Sequence, residues 1–204
     1  NARLQNFKVI GLRENQWIPY VRDQVEVPVE KVLDPTLLLR REDYDRLAIS
    51  PSKTEPYLLL YARRYNPKME KYAIDLAKRE GLKIVEISLR ATNAEKGQEM
   101  RYDAGVGEFL GLVRDAKFVV TNSFHGTVFA ILFHRPFLSV LLRGGMSGMN
   151  ERALSLLRIL GLEDRAIYLD ELDKYGSLVA KVIDWGVVEK MLAGKREVVD
   201  RFFK

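Results

Sequence analysis

The sequence predicts an α/β fold, a Rossmann-like parallel sheet with helices on both faces, completed by C-terminal helices. Three observations predict it. Apolar runs with no polar alternation recur at residues 57–61, 118–121 and 137–142, the pattern of strands buried on both faces. Stretches of helical periodicity separate them. The resulting order over residues 57–142 is strand, helix, strand, helix, strand, helix, strand. Such alternation implies parallel pairing through right-handed crossovers.

The elements follow in order. Residues 9–12 read as a short strand entered from a helix end at Phe7-Lys8. The stretch 29–39 begins as a strand, turns at Asp34-Pro35 and continues apolar. Asp is a turn former and Pro fixes the bend. Residues 41–47 look helical, and the Pro-punctuated 50–56 reads as a loop. Pro67 suits the first turn of a helix. Met69, Tyr72, Ala73, Leu76 and Ala77 then recur at helical spacing up to Gly81. Residues 83–89 alternate as a strand, and 90–105 form a polar loop. Helices are expected at 108–116 and 127–133 on either side of the strand at 118–121. After the strand at 137–142 comes a Gly-rich loop, 143–150, and a helix at 151–160 that Gly161 ends. A last short strand is expected at 167–169, and the remainder, 170–204, reads as helical.

Composition narrows the function. The chain has 204 residues, 47% of them hydrophobic and 30% charged, which suits a globular protein with a substantial core. It has no cysteine, which excludes disulfides, thiolate metal sites and Cys nucleophiles. That absence fits a reducing compartment, and a cytoplasmic location is expected. No apolar run reaches the roughly 20 residues that span a bilayer, although peripheral association with a membrane stays open. The net charge of +5 is dispersed among acids, so no basic stripe for nucleic acid is expected. Two histidines without clustered carboxylates give no transition-metal site, and no dinucleotide or Walker-type glycine loop is present.

Chemistry concentrates where the strand at 118–121 runs into small polar residues. Asn122, Ser123, His125 and Gly126 fall at a strand-to-helix junction, on the sheet edge where α/β proteins bind ligands. Ser123 can cap the helix, and the free N–H groups behind it suit an anion. His125 can meet a phosphate or carboxylate and move a proton. It also fits a histidine bonded to the sheet edge. His134 sits at the other end of the helix, as a C-terminal cap partner. Arg63 and Arg64 follow the strand at 57–61 on the same rim as His125, where surface charge is the competing role. Ser147, Asn150 and Arg152 could close over a ligand, or Asn150 could simply cap the next helix.

The run Val120-Thr-Asn-Ser-Phe-His-Gly-Thr-Val-Phe129 resembles the polysaccharide pyruvyl transferase family. Further pieces agree in order: Leu12-Arg-Glu14, Val32-Leu-Asp-Pro-Thr-Leu-Leu38, Glu108-Phe-Leu110, Arg135-Pro-Phe137, and Asn150-Glu-Arg152 ahead of Leu160-Gly-Leu-Glu-Asp-Arg165. The resemblance implies the C-terminal domain of a GT-B-type, two-domain transferase. Residues 1–28 would then be the end of a truncated N-terminal domain and its connection, and 29–204 the Rossmann-like domain with a helical tail.

The implied reaction moves a pyruvyl group from phosphoenolpyruvate to two hydroxyls of a sugar, as a ketal, with no other cofactor. The acceptor would be a bacterial cell-envelope or exopolysaccharide sugar, lipid-linked or nucleotide-linked. His125 is the candidate catalytic residue, and Arg13 is carried over as a contact to phosphoenolpyruvate. Asn122, Ser123, Gly126, Arg63, Ser147, Asn150 and Arg152 complete the expected substrate-binding set.

There are two departures. The span 14–29 is short for the family, and Ser123-Phe124 stands where many members carry Arg-Leu. The loss of that cation leaves the acidic ligand open. A GT-B-like glycosyltransferase using a nucleotide sugar, or a non-catalytic carbohydrate or sugar-phosphate module, is therefore the alternative.

Overall fold

The computed structural model describes residues 3–51, 55–87, 99–174 and 181–202. Two parallel sheets organise them. The smaller pairs β1 (Ile10–Leu12) with β2 (Val29–Lys31), in register Ile10 to Val29 and Leu12 to Lys31. A short helix, α1 (Trp17–Arg22), connects them, a segment that the sequence left without an element. Its Pro19 lies in the first turn, where a missing N–H loses no helical bond. The expected division at 28/29 falls between two strands that pair with one another. A tight turn at Pro35–Leu37 and a helix, α2 (Arg41–Asp45), lead into the main sheet.

That sheet has six strands, all parallel, in the order β5-β4-β3-β6-β7-β8. They are β3 (Tyr57–Tyr61), β4 (Lys83–Ile87), β5 (Glu99–Met100), β6 (Phe118–Thr121), β7 (Phe137–Leu141) and β8 (Ala166–Tyr168). The continuous apolar runs are those buried on both faces. Leu58, Leu59, Val119 and Leu138 are all 0% exposed. Strand β5 has two residues within the predicted polar loop, too short to register as a pattern. Residues 90–98 of that loop lie outside the described residues.

Helices cover both faces. One face carries α3 (Pro67–Arg79), whose Met69, Ala73, Leu76 and Ala77 pack on Leu58, Leu60, Val120 and Leu138. The Asn66 side chain accepts from the Lys68 and Met69 N–H groups, capping that helix ahead of Pro67. The other face carries α4 (Val106–Asp115), α5 (Phe124–Leu132), α6 (Asn150–Ile159) and α7 (Trp185–Phe202). Their core includes Val113, Val128, Ile131, Leu157 and Leu192, together with Leu33 and Leu37 from the loop after β2.

Helix α5 begins three residues earlier than the sequence suggests, because Ser123 caps it by accepting the Gly126 N–H at 3.3 Å. His125 therefore sits inside the first turn. The stretch 143–150 is a 3-10 turn at Gly144–Met149 rather than an open loop. In the C-terminal part, a 3-10 turn at Leu169–Lys174 and helix α7 are described, while 175–180 and 203–204 lie outside the described residues.

The order of the sheet fixes where a ligand can enter. From β3 the chain moves outward to β4 and β5, then returns to place β6 on the other side of β3. The crevice beyond the ends of β3 and β6 is thus the topological switch point.

Candidate functional site

Each wall of that crevice comes from a strand end. Behind β3 lie Arg63 and Arg64; behind β6 come Asn122, Ser123 and Phe124. Asn122 fastens the two loops together. Its side chain accepts the Arg64 N–H at 3.3 Å and donates to the Arg64 carbonyl at 2.5 Å. The Thr121 hydroxyl donates to the Tyr61 carbonyl at 2.8 Å and accepts the Ser123 N–H at 3.0 Å. Gly126 lets α5 lie this low on the sheet. A Cβ there would come 2.3 Å from Thr121 Oγ1 and 2.8 Å from Tyr61 Cδ1. The glycine serves the approach of helix to strand.

With Gly126 capped by Ser123, and Thr127 donating to the Ser123 carbonyl, the Phe124 and His125 N–H groups have no partner among the described residues. They are the free donors at the positive end of α5. The His125 imidazole lies in the same first turn, half-buried, with its ring edge-on to Phe124 at 5.3 Å between centroids. Burial pushes its pKa below the ordinary histidine value. The positive charges of Arg152, Arg13 and Arg63 push the same way, and Asp34 opposes them. Arg13, Arg63 and Arg152, chosen from sequence separately, are therefore gathered around His125.

Arg13 stands just past the end of β1. Its Nη1 bonds Asp34 at 2.5 Å and its Nε bonds Glu14 at 3.2 Å. The bond that Arg13 donates to Asp34 is the main reason that the Arg13 pKa lies above its ordinary value. Asp34 is 5% exposed and also accepts the Thr36 amide at 3.1 Å and the Thr36 hydroxyl at 2.7 Å. Burial alone would raise its carboxyl pKa. The bonds from Thr36 and Arg13 outweigh that and hold it below the usual carboxylate range. Asp34 is thus the turn former the sequence suggests and also the anchor of Arg13.

Arg152 reaches in from α6. Its guanidinium lies over the Phe124 ring at 5.2 Å, and its Nε is 3.9 Å from the same Glu14 oxygen that Arg13 holds. Lys31, at the end of β2, lines a pocket with Arg13, Asp34, Phe124, Arg152 and Ser155, one to which the neighbouring His125 does not itself contribute. Nothing in its neighbourhood along the chain singles it out. A lone lysine closing a three-residue strand carries no local signature, and its role follows from the pairing of β2 with β1. His125 feels three cations (Arg13, Arg63, Arg152) against one carboxylate (Asp34), an excess of positive charge suited to an anion.

The remaining expected residues lie differently. Asn150 is buried, and its amide grips both backbone groups of Leu142, accepting the N–H at 3.0 Å and donating to the carbonyl at 2.6 Å. Ser147 is exposed on the Gly144–Met149 turn, where its carbonyl accepts the Asn150 N–H. His134 closes α5 in a left-handed conformation (φ 54°), stacked on Trp185 at 5.1 Å with Nε2 3.0 Å from Glu189. It is a helix-end residue remote from the crevice. Among the described residues, no group of three or more His, Cys, Asp or Glu side chains could share a metal ion, and no helix is long and apolar enough to cross a membrane.

Against known proteins, the profile of the family described as polysaccharide pyruvyl transferase matches residues 2–142. That span holds Arg13, Lys31, Asp34, Arg63 and His125, and ends ahead of Arg152. No curated protein matches the chain. Among solved structures, the chain is similar to UDP-GlcNAc 2-epimerase from Methanocaldococcus jannaschii, crystallised with UDP-GlcNAc and UDP. The identity is 17% over 80% of this chain and 43% of that one, with a TM-score of 0.41. The chain thus spans less than half the length of that protein.

Proposed function

Because this chain belongs to the polysaccharide pyruvyl transferase family, we propose that it carries the donor site for moving a pyruvyl group from phosphoenolpyruvate to a sugar. The acceptor would be a lipid-linked or nucleotide-linked sugar of a cell-envelope or extracellular polysaccharide, and the work would be done in the cytoplasm. One observation carries the reading: His125 in the first turn of α5, beside two free N–H groups and among Arg13, Arg63 and Arg152.

The reaction needs a proton on the methylene carbon of phosphoenolpyruvate, which leaves the adjoining carbon open to attack. Two sugar hydroxyls add to that carbon as its bond to the phosphate oxygen breaks. Of the two protons that the hydroxyls lose, one balances the new methyl group and one leaves with phosphate. The arginines and the α5 N–H groups would hold the phosphate and carboxylate. His125 would start neutral, since burial and its cationic neighbours lower its pKa. A bound dianion acts in the opposite sense and would load it with the proton that it passes to carbon.

The test is pyruvyl transfer by the full-length protein with phosphoenolpyruvate and a panel of linked sugars. His125→Ala should lower turnover by about two to four decades, the range for a lost proton-transfer group, with an unchanged circular dichroism spectrum. Phosphoenolpyruvate at millimolar concentration should raise the melting temperature of the wild type. Full turnover in the variant would remove His125 from the chemistry. Stabilisation by nucleotide sugars with none by phosphoenolpyruvate would favour a glycosyl donor.

A further inference from the structure

Arg13 and Arg152 approach His125 from elements that share no strand ladder. One stands past β1 in the small sheet; the other rides on α6 against the large one. Lys31 joins the two. Its ammonium donates to the Arg13 carbonyl oxygen and, at 3.1 Å, to the Ser155 hydroxyl. Ser155 is 2% exposed and lies three residues beyond Arg152 on α6, a spacing that puts both on one side of the helix. A single side chain thus bonds the main chain behind one guanidinium and the helix behind the other.

Lys31 makes these bonds from a half-buried position. Burial lowers the Lys31 pKa, an effect that Glu14 and Glu151 oppose and Lys195 adds to. Its two direct partners are neutral oxygens, and among the described residues no carboxylate forms an ion pair with it, Glu14 and Glu151 acting only from further away. Three residues on, Asp34 fixes the Arg13 guanidinium, so the residues 31–34 hold that arginine by main chain and side chain together.

We infer that Lys31 is a positioning residue that sets the separation of Arg13 and Arg152, and so selects a ligand bearing two anionic groups over one bearing a single group. The inference rests on the donor site proposed above, where phosphoenolpyruvate offers a carboxylate and a phosphate. A ligand held at both ends depends on the distance between its two clamps, whereas a lone phosphate can follow whichever arginine it meets.

The full-length protein and its Lys31→Met and Ser155→Ala variants would be titrated calorimetrically with phosphoenolpyruvate and, separately, with inorganic phosphate. Lys31→Met should weaken phosphoenolpyruvate by about 10- to 100-fold, the scale of a misplaced clamp, and phosphate by much less. Ser155→Ala keeps every charge, and should lower the ratio of the two affinities in the same direction by a smaller factor. General loosening of the fold would not move that ratio. Equal weakening of both ligands in Lys31→Met, with Ser155→Ala silent, would make Lys31 a plain charge and overturn the inference, as would unchanged binding in both variants. A wild type that takes phosphate and refuses phosphoenolpyruvate would instead overturn the donor reading, and this inference with it.

Discussion

Burial and three arginines keep the His125 imidazole less basic in the folded chain than in the unfolded one. The unfolded state therefore takes up a proton at a higher pH than the folded state. Stability contributed by neutral His125 is present above the ordinary histidine pKa of about 6.5 and declines as the pH falls through it. Wild-type stability by chemical denaturation should thus drop more between pH 7.5 and 5.5 than that of His125→Gln; parallel losses would show that the depressed pKa is not real. Asp34 and Asp115 are held below the usual carboxylate range, so their contributions fade only at a lower pH, outside that window. At this scale the sequence was informative where a residue's type limits its chemistry. His125 and Arg63 could be named because a histidine and a cation near strand ends have few uses, Arg13 because the family resemblance carries it over, and Arg152 from its place beside the Gly-rich loop. Gly126 and Asn122 were named for ligand contact, yet each is tied to its neighbours, by a close approach to Thr121 or by bonds to Arg64.

Glycine also decides how α4 sits. The segment before β3 runs across that helix, with the Ile49 N–H donating to the Gly107 carbonyl at 2.9 Å. A Cβ on Gly111 would lie 1.8 Å from the Ile49 carbonyl oxygen, a backbone atom that cannot swing aside. Gly111→Ala should therefore destabilise the fold by about 1–3 kcal/mol or more, since overpacking forces the backbone to shift. Replacing Gly161, which closes α6 at φ 64° with nothing near its missing Cβ, would test strain without crowding; urea midpoints of the two variants would separate the effects. Elements with long or strongly patterned sequences were legible in advance. Strands β3 and β6 match the apolar runs 57–61 and 118–121 to the residue, and α3 matches its periodic stretch. Helix α1 and strand β5 were not, because six and two residues give a periodicity no room to repeat. Lys31 and Glu14 stayed hidden for a different reason: only the pairing of β1 with β2 and its packing on α6 bring them to Arg13 and Arg152.

Across the molecule, α7 packs back onto the segment that follows β2. Val188, Leu192 and Val199 are buried, and Arg196 donates to the Leu37 carbonyl at 2.7 Å and the Leu39 carbonyl at 3.3 Å. Those carbonyls belong to the segment just after Asp34, so the helix braces the loop from which Arg13 is held. Arg196→Ala should remove about 1.5–3 kcal/mol, typical of bonds from a charged donor. Amide exchange should then quicken in α7 and around residues 34–39 ahead of the main sheet. Uniform exchange throughout would mean that α7 is not a separate brace. The fastening of the β3 and β6 loops by Asn122 bears on affinity in a different way. The two loops give up their freedom when the chain folds, so an arriving anion has nothing to immobilise on that wall. What it gains from each contact there is retained as binding strength, undiminished by the ordering of the host.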